Sequence, residues 1–208
     1  MDVFEAIRSR RSHRSFSDTP VETEKIDQIL EAAQWAPSPA NNQPWEFVVV
    51  TGDGIRAKLL SIFDRAEQTG SVELHGFSYV RPAPSELNEK TNTESSAGHY
   101  SLSFMKNVPV MIAVAGEPNP SIRQGLIDRV KDGYKYACAA SIQNMLLAAQ
   151  ALGLGSLWFT FFDGESVKDV LNIDPAKHLV AIICVGYPAS TPTSPGRLPL
   201  KAKVRRIG

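Results

Sequence analysis

Cysteine is scarce in this chain: Cys138 and Cys184 are the only two among 208 residues, and each sits inside an apolar stretch. That excludes a disulfide framework or a cysteine-rich metal site, and both are read as buried thiols. No apolar run reaches the roughly 18 residues a membrane span needs. The opening MDVFEAIRSRR has an acid at its second position and no continuous apolar segment, so neither a signal peptide nor an anchor is expected and the reading is cytoplasmic. Net charge is lacking as well, with 22 Lys and Arg against 22 Asp and Glu. A total of zero argues against a general nucleic-acid coat. The four histidines, His13, His75, His99 and His178, show no i, i+4 pairing and no CxxC partner, so a zinc or iron site is not expected. His13, among arginines, reads as a helix-end residue. No P-loop and no GxSxG elbow occurs, and nothing pairs either cysteine with a base.

What is present suits a globular domain. With 43% hydrophobic and 21% charged residues, a chain of this length is expected to form one domain over 1–208. Asp2 and Glu5 have capping-box spacing ahead of Val3, Phe4 and Ile7, which predicts a first helix. Thr23 is expected to cap a second helix with Ile26, Ile29, Leu30 and Ala33 on its apolar face, ending near Trp35 before Pro37. EFVVVT and PVMIAVAG read as buried strands, with a helix from Ile55 to about Ala66 between them. YKYACAASIQNMLLAAQALG is the longest helical pattern, with Gly153 where a C-terminal cap belongs. LWFTFF then reads as an aromatic strand, ESVKDVLNI as a short helix and HLVAIICVGYP as a further strand.

Two stretches break this pattern. Residues 70–103 carry Pro82, Pro84 and the polar run ELNEKTNTESS, punctuated by Phe77, Tyr79, Tyr100 and Phe104, and are expected to be a lid or a loop packed by its own aromatics. Residues 189–208 are rich in proline without a repeating apolar face and are expected to form an extended C-terminal arm.

The chemistry-bearing candidates are three. Arg8, Arg10, Arg11 and Arg14 fall together with no acid between them, and the last stretch holds Arg197, Lys201, Lys203, Arg205 and Arg206, again with no acid. Arginine forks bind phosphate bidentately, with the Ser12 hydroxyl available beside them; a solvated basic helix end is the alternative. Ala36 to Trp45 presents Ser38, Asn41, Asn42 and Gln43 on a proline-stiffened loop. Carboxamides both donate and accept, which suits the edge of a heterocycle, although a polar connecting loop has the same composition. GLGSLWFTFFD starts like a dinucleotide fingerprint, but Trp158 occupies the third glycine position and the glycines follow a helix. The backbone N–H groups of Phe159, Thr160 and Phe161 remain as donors toward a flat ligand.

Arg10-Arg11-Ser12-His13-Arg14 with Phe16, Ala36-Pro37-Ser38 with Asn41-Asn42-Gln43-Pro44-Trp45, the helix end QNMLLAAQALGLGS, and GYP followed by Arg197-Leu198-Pro199 together resemble the FMN-dependent nitroreductase family over nearly the whole chain. The resemblance implies an α+β, three-layer fold: a central, mostly antiparallel sheet flanked by helices, in a homodimer with FMN sites at the subunit interface. Arg10, Arg11, Ser12 and Arg14 match the family's N-terminal FMN-binding segment, and Arg197 its C-terminal basic residue at the phosphate. Pro37, Ser38 and Asn41, with Gln43 beside them, match the loop that reaches the flavin from the neighbouring subunit. Phe159, Thr160 and Phe161 match the segment whose backbone touches flavin N5 and O4. Pro39 departs from a common second serine, and Thr160 and Phe161 fill a stretch that often contains glycine.

The implied activity is an NADH- or NADPH-dependent oxidoreductase: the nicotinamide delivers hydride to flavin N5, leaves, and a nitroaromatic, quinone or similar acceptor takes the electrons, with no catalytic acid or base on the protein. The partners implied are a second copy and a small-molecule acceptor, with no nucleic acid and no membrane. Relatives with other flavin reactions (a reductive dehalogenase, a flavin-fragmenting enzyme, peptide-desaturating oxidases) supply the alternative, for which Tyr79, Glu86 and Lys90 would grip a zwitterion.

Overall fold

The computed structural model describes residues 1–69, 71–74, 77–80, 102–117, 132–194 and 196–208. The chain opens with helix α1 (Val3–Ser9), started by the Asp2 carboxylate accepting from the Glu5 N–H at 3.0 Å. Helix α2 (Thr23–Gln34) follows and ends at Trp35 as expected. Its cap differs: Thr23 is already helical, and Glu22 occupies the cap position without a side-chain bond to the helix. The Glu22 carboxylate instead accepts from the Tyr187 hydroxyl at 2.9 Å, tying α2 to the far end of the chain. Strand β1 (Trp45–Val50) and helix α3 (Asp53–Thr69) come next, and α3 begins earlier and ends later than the apolar pattern indicated.

Part of the excursion expected as a loop is regular. Strands β2 (Ser71–Leu74) and β3 (Phe77–Val80) pair antiparallel as a separate two-stranded ribbon. Four residues each is too short for alternation to stand out in the sequence. Residues 81–101, with Glu86, Lys90 and Tyr100, lie outside the described residues. A 3₁₀ turn at Leu102–Asn107 buries Leu102 and Met105 and leads into β4 (Val110–Gly116).

Helix α4 (Gly133–Ala151) is the long Ala- and Leu-rich element. It ends where Gly153 takes φ +76°, a left-handed conformation that lets the Leu154 N–H reach back to the Ala149 carbonyl at 2.8 Å. Strand β5 (Gly155–Phe159), helix α5 (Gly164–Leu171, capped by Asp163) and strand β6 (His178–Gly186) complete the regular structure.

The main sheet has the order β1-β4-β6-β5, and every neighbouring pair is antiparallel. Alternation along its strands separates two cores. Val110, Ile112 and Val114 of β4 with Ile183 and Val185 of β6 pack against Ile29 of α2 and Ile142 and Met145 of α4. Met111 and Ala113 with Ile182 and Cys184 face Leu59 and Phe63 of α3 and Val167 of α5. Helices therefore cover both faces of an antiparallel sheet, the three-layer α+β arrangement expected. Removing one well-buried side chain such as Phe63 would cost about 3–5 kcal/mol. Both cysteines are fully buried and unbridged; burial pushes the Cys138 thiol up to about 12 and Cys184 higher still.

The antiparallel order defines two ends of the sheet. Trp45, Gly116 and His178 share one end, while Gly155 and Gly186 share the other. Helix α4 runs between them, contacting the 3₁₀ turn at Pro39–Asn41 and also α1.

Candidate functional site

The first half-site is built on the β5 edge. After α1, residues 10–17 are extended: Ser12 bridges Ser156, Phe16 bridges Pro188, and the Ser17 N–H donates to the Tyr187 carbonyl at 2.9 Å. The Ala189 N–H donates to the Ser15 carbonyl at 3.0 Å, so the N-terminal basic segment lies along residues 187–189. The Arg10 guanidinium is held below its ordinary pKa, first by burial, then by the charge of Arg197 and of Arg11. The charge of Arg197 thus acts on Arg10 from the opposite end of the sequence, and among the described residues no carboxylate forms an ion pair with Arg10, Arg11 or Arg197. Like charges held together without a counterion lower their energy most by taking up an anion.

The arginines divide by task. Arg11 Nη1 donates to the carbonyls of Arg8 at 2.6 Å and Arg10 at 2.9 Å, closing the C-terminal end of α1. Arg10 is the one on which the charge of Arg197 acts; Arg197 is exposed and donates to the Gly196 carbonyl at 2.6 Å, Gly196 being left-handed at φ +72°. Arg14 is exposed and Ser12 half-buried on the same segment. His13 is not a helix-end residue: only 7% of it is exposed, and its backbone N–H is bonded to the Ser156 carbonyl at 2.9 Å. Nothing in the sequence distinguished it from its neighbours, since its burial follows from the pairing of Ser12 with β5.

Phe159, Thr160 and Phe161 lie at the other end of that edge strand. The Phe159 ring is in the core, edge-on to Phe63 with centroids 5.2 Å apart, so it offers a ligand its backbone rather than its ring. Thr160 is exposed and its carbonyl accepts from the Phe162 N–H at 3.2 Å.

The second half-site precedes β1. In the loop after Pro37, Ala40, Asn41 and Gln43 all take positive φ (51°, 54° and 44°), an uncommon concentration for residues with a Cβ. The Ser38 hydroxyl accepts from the Gln43 N–H at 3.0 Å, and the Gln43 side-chain amide donates to the Asn41 carbonyl at 3.3 Å. Ser38 and Gln43 therefore shape the loop as well as face outward, while the buried Asn42 Oδ1 has no hydrogen-bond partner among the described residues. Strained, internally bonded backbone of this kind concentrates at ligand clamps.

Within one chain the two half-sites stand apart. Strands β1 and β5 are the outer strands of the sheet, about 14 Å apart, and the Trp45 and Gly155 ends differ by about 26 Å along the strands. Arg197 lies near enough for its charge to act on Arg10, with Ser12 and Arg14 on the same segment as Arg10 and Phe159 to Phe161 farther along the same edge; Ser38, Asn41 and Gln43 belong to the opposite outer strand. Among the described residues there is no His, Cys, Asp or Glu cluster able to hold a metal, and no helix long and apolar enough to cross a membrane.

This arrangement is the nitroreductase-like fold. The chain belongs to the nitroreductase family, whose family model matches residues 7–187. It is 28% identical over 196 residues to a Methanothermobacter thermautotrophicus protein named for NADH dehydrogenase and NAD(P)H nitroreductase activity, covering 92% of this chain and 80% of that one. It is 26% identical over 180 residues to the 5,6-dimethylbenzimidazole synthase of Rhodospirillum rubrum, covering 86% of this chain and 78% of that one. Among solved structures, a nitroreductase of Desulfovibrio desulfuricans in complex with FMN is 30% identical with a TM-score of 0.67, covering 100% of this chain and 98% of that one.

Proposed function

We propose that the chain is an FMN-dependent oxidoreductase that uses NADH or NADPH to reduce electron-poor acceptors such as nitroaromatics or quinones. The observation that carries this is the concentration of positive charge at Arg10, where Arg197 and Arg11 act on a half-buried guanidinium and no carboxylate among the described residues pairs with it, in a chain of this family. The fit to FMN is chemical: its phosphate carries about −1.5 to −2 charges, taking a phosphorylated side chain as guide, and two guanidinium forks match it in sign and geometry. Arg10 and Arg197 hold the phosphate, assisted by Ser12 and Arg14. Arg11 fixes the helix end from which Arg10 projects. The backbone of Phe159, Thr160 and Phe161 faces the ring system along the β5 edge. When bound, FMN supplies hydride acceptance from the nicotinamide and donation to the acceptor, so the protein's task is to bind, orient and limit access.

Pro37, Ser38, Asn41 and Gln43 come from a second copy in this reading. The strand geometry favours it, because the loop before Trp45 and the segment paired beside Gly155 lie on opposite outer strands and at opposite ends of the sheet. Exposed apolar residues support it too: Val3, Phe4 and Ile7 on α1, Trp35 after α2, and Tyr136 on α4, with Trp35 82% exposed, form the kind of surface a homodimer covers.

The test is an absorbance spectrum of the purified protein, followed by anaerobic titration with each nicotinamide. Flavin absorbance that bleaches with NADH or NADPH is expected; a colourless protein that takes up no FMN on reconstitution sinks the reading. A second reading keeps the scaffold and changes the redox reaction, favoured by the similarity to a 5,6-dimethylbenzimidazole synthase. Nicotinamide oxidation unaffected by a nitro compound or quinone would favour it.

A further inference from the structure

The loop that carries Ser38, Asn41 and Gln43 begins just after α2, so its place depends on where the end of that helix is held. The last turn of α2 is tightened. The Ala36 N–H bonds to the Ala33 carbonyl at 3.2 Å, one residue short of its helical partner Ala32, and the Ala32 carbonyl accepts from the Asn144 side-chain amide of α4 at 3.0 Å. Around that bond α2 and α4 meet through Ile29, Ala33, Ile142 and Met145, and burial of apolar surface is non-directional. The amide bond is directional: a half-buried donor meets a fixed carbonyl at this length only when the two helices stand at one axial offset. Downstream, β1 pairs Trp45 with Gly116, and the Pro44 carbonyl accepts from the Glu117 N–H at 3.0 Å. The loop thus stands on two footings, Asn144 at its entry and the sheet at its exit, with Ala40, Asn41 and Gln43 at positive φ between them. Backbone strained in this way keeps its shape only while its surroundings over-determine it.

We propose that Asn144 is a positioning residue for the carboxamide loop: its amide fixes the end of α2 against α4, and with it the point from which Ser38, Asn41 and Gln43 are presented. The proposal rests on reading that loop as the second half of the flavin site, supplied by a second copy. A residue that only supports the fold would weaken both half-sites its chain contributes, whereas one that positions the loop weakens only the half-site that its own loop supplies.

The discriminating measurement asks which half-site Asn144 serves. Asn144→Leu keeps a side chain of similar shape and removes the donor. Fluorescence titration of the flavin-stripped variant should show FMN binding about tenfold weaker, the scale of one lost hydrogen bond with its acceptor left unpaired. This copy is then equilibrated in equal amounts with a copy carrying Arg10→Ala and Arg197→Ala, and separately with a copy carrying Ser38→Ala and Asn41→Ala. The first mixture should hold a class of sites with wild-type affinity, about a quarter of the total, since half the dimers are mixed and each has one site with both halves intact. The second should hold none, because every site there meets a defective loop. Wild-type affinity in Asn144→Leu alone overturns the proposal, as do wild-type sites in the second mixture, or their absence from the first while a control mixture of the arginine and loop variants regains them. If Asn144→Leu does not fold, Asn144→Ala decides by the same criterion. A control mixture that regains no wild-type sites would instead remove the two-copy reading itself.

Discussion

The two outer strands of the sheet lead to opposite kinds of surface. At the β5 edge the tension is in the side chains: burial and the charges of Arg197 and Arg11 bear on the Arg10 guanidinium, on an ordinarily folded backbone. Before β1 the backbone is in tension: Ala40, Asn41 and Gln43 sit at positive φ in a loop without a charged side chain. One edge stores electrostatic energy that an anion releases, the other conformational energy that the loop's own hydrogen bonds offset. The two should therefore answer to different perturbations, the first to charge and salt, the second to Cβ removal.

The strongest way to break that contrast is at the charged edge. Arg10→Ala combined with Arg197→Ala should weaken FMN by about a hundredfold or more, from the loss of two charge-assisted contacts, while flavin-free stability holds or rises slightly. Wild-type affinity in this double variant, measured by equilibrium titration, would dissociate the pair from the phosphate. Next in size is a mixing experiment. A copy carrying Arg10→Ala and Arg197→Ala and a copy carrying Ser38→Ala and Asn41→Ala are each expected to bind flavin poorly. Equilibrated together in equal amounts, they should regain about a quarter of wild-type sites, since half the dimers are mixed and each holds one site with both halves intact. No recovery after verified subunit exchange would place both halves in one chain.

The strained edge sharpens the comparison with a smaller effect. Ala40→Gly removes the Cβ from a left-handed residue and should raise stability by about 1 kcal/mol, read from urea unfolding midpoints. The same substitution at a position with negative φ would destabilise. The smallest effect concerns pH. Burial, opposed by the Ser190 bond and reinforced by Arg10, holds His13 below its ordinary 6.5. The unfolded chain therefore binds the extra proton first, so stability of the flavin-free protein should fall as pH drops from about 6.5 toward the lowered folded value, and not change on this account well above about 6.5. Unfolding midpoints at pH 7.5 and 5.5 should differ more for wild type than for His13→Gln.

Much of the layer structure was legible because it rests on local chemistry. Asp2 with Glu5, Gly153 after an Ala-rich helix, and apolar runs such as IIC in β6 each state their own conformation. That Arg10 and Arg197 serve one phosphate is an expectation carried by resemblance, since charge counts alone do not bring distant stretches together. Other features come from tertiary contact. Thr23 lost the cap position to Glu22, which is held by Tyr187. The ribbon of β2 and β3 was hidden in two four-residue strands. Arg11, counted among phosphate ligands, has its Nη1 on two carbonyls at the end of α1. His13 owes its burial to the pairing of Ser12 with Ser156.

Helix α4 touches both α1 and the turn at Pro39–Asn41, and its 19 residues make a rod about 28 Å long. An inserted residue would advance whatever follows by about 1.5 Å and swing it through about 100°, turning a contact face away from its partner. The gap between the charged and the carboxamide-bearing ends can thus be lengthened only in steps of whole turns. In evolutionary terms α4 is a gauge with coarse graduations: loops in such a chain can drift in length residue by residue, while the distance between its two working ends is quantised.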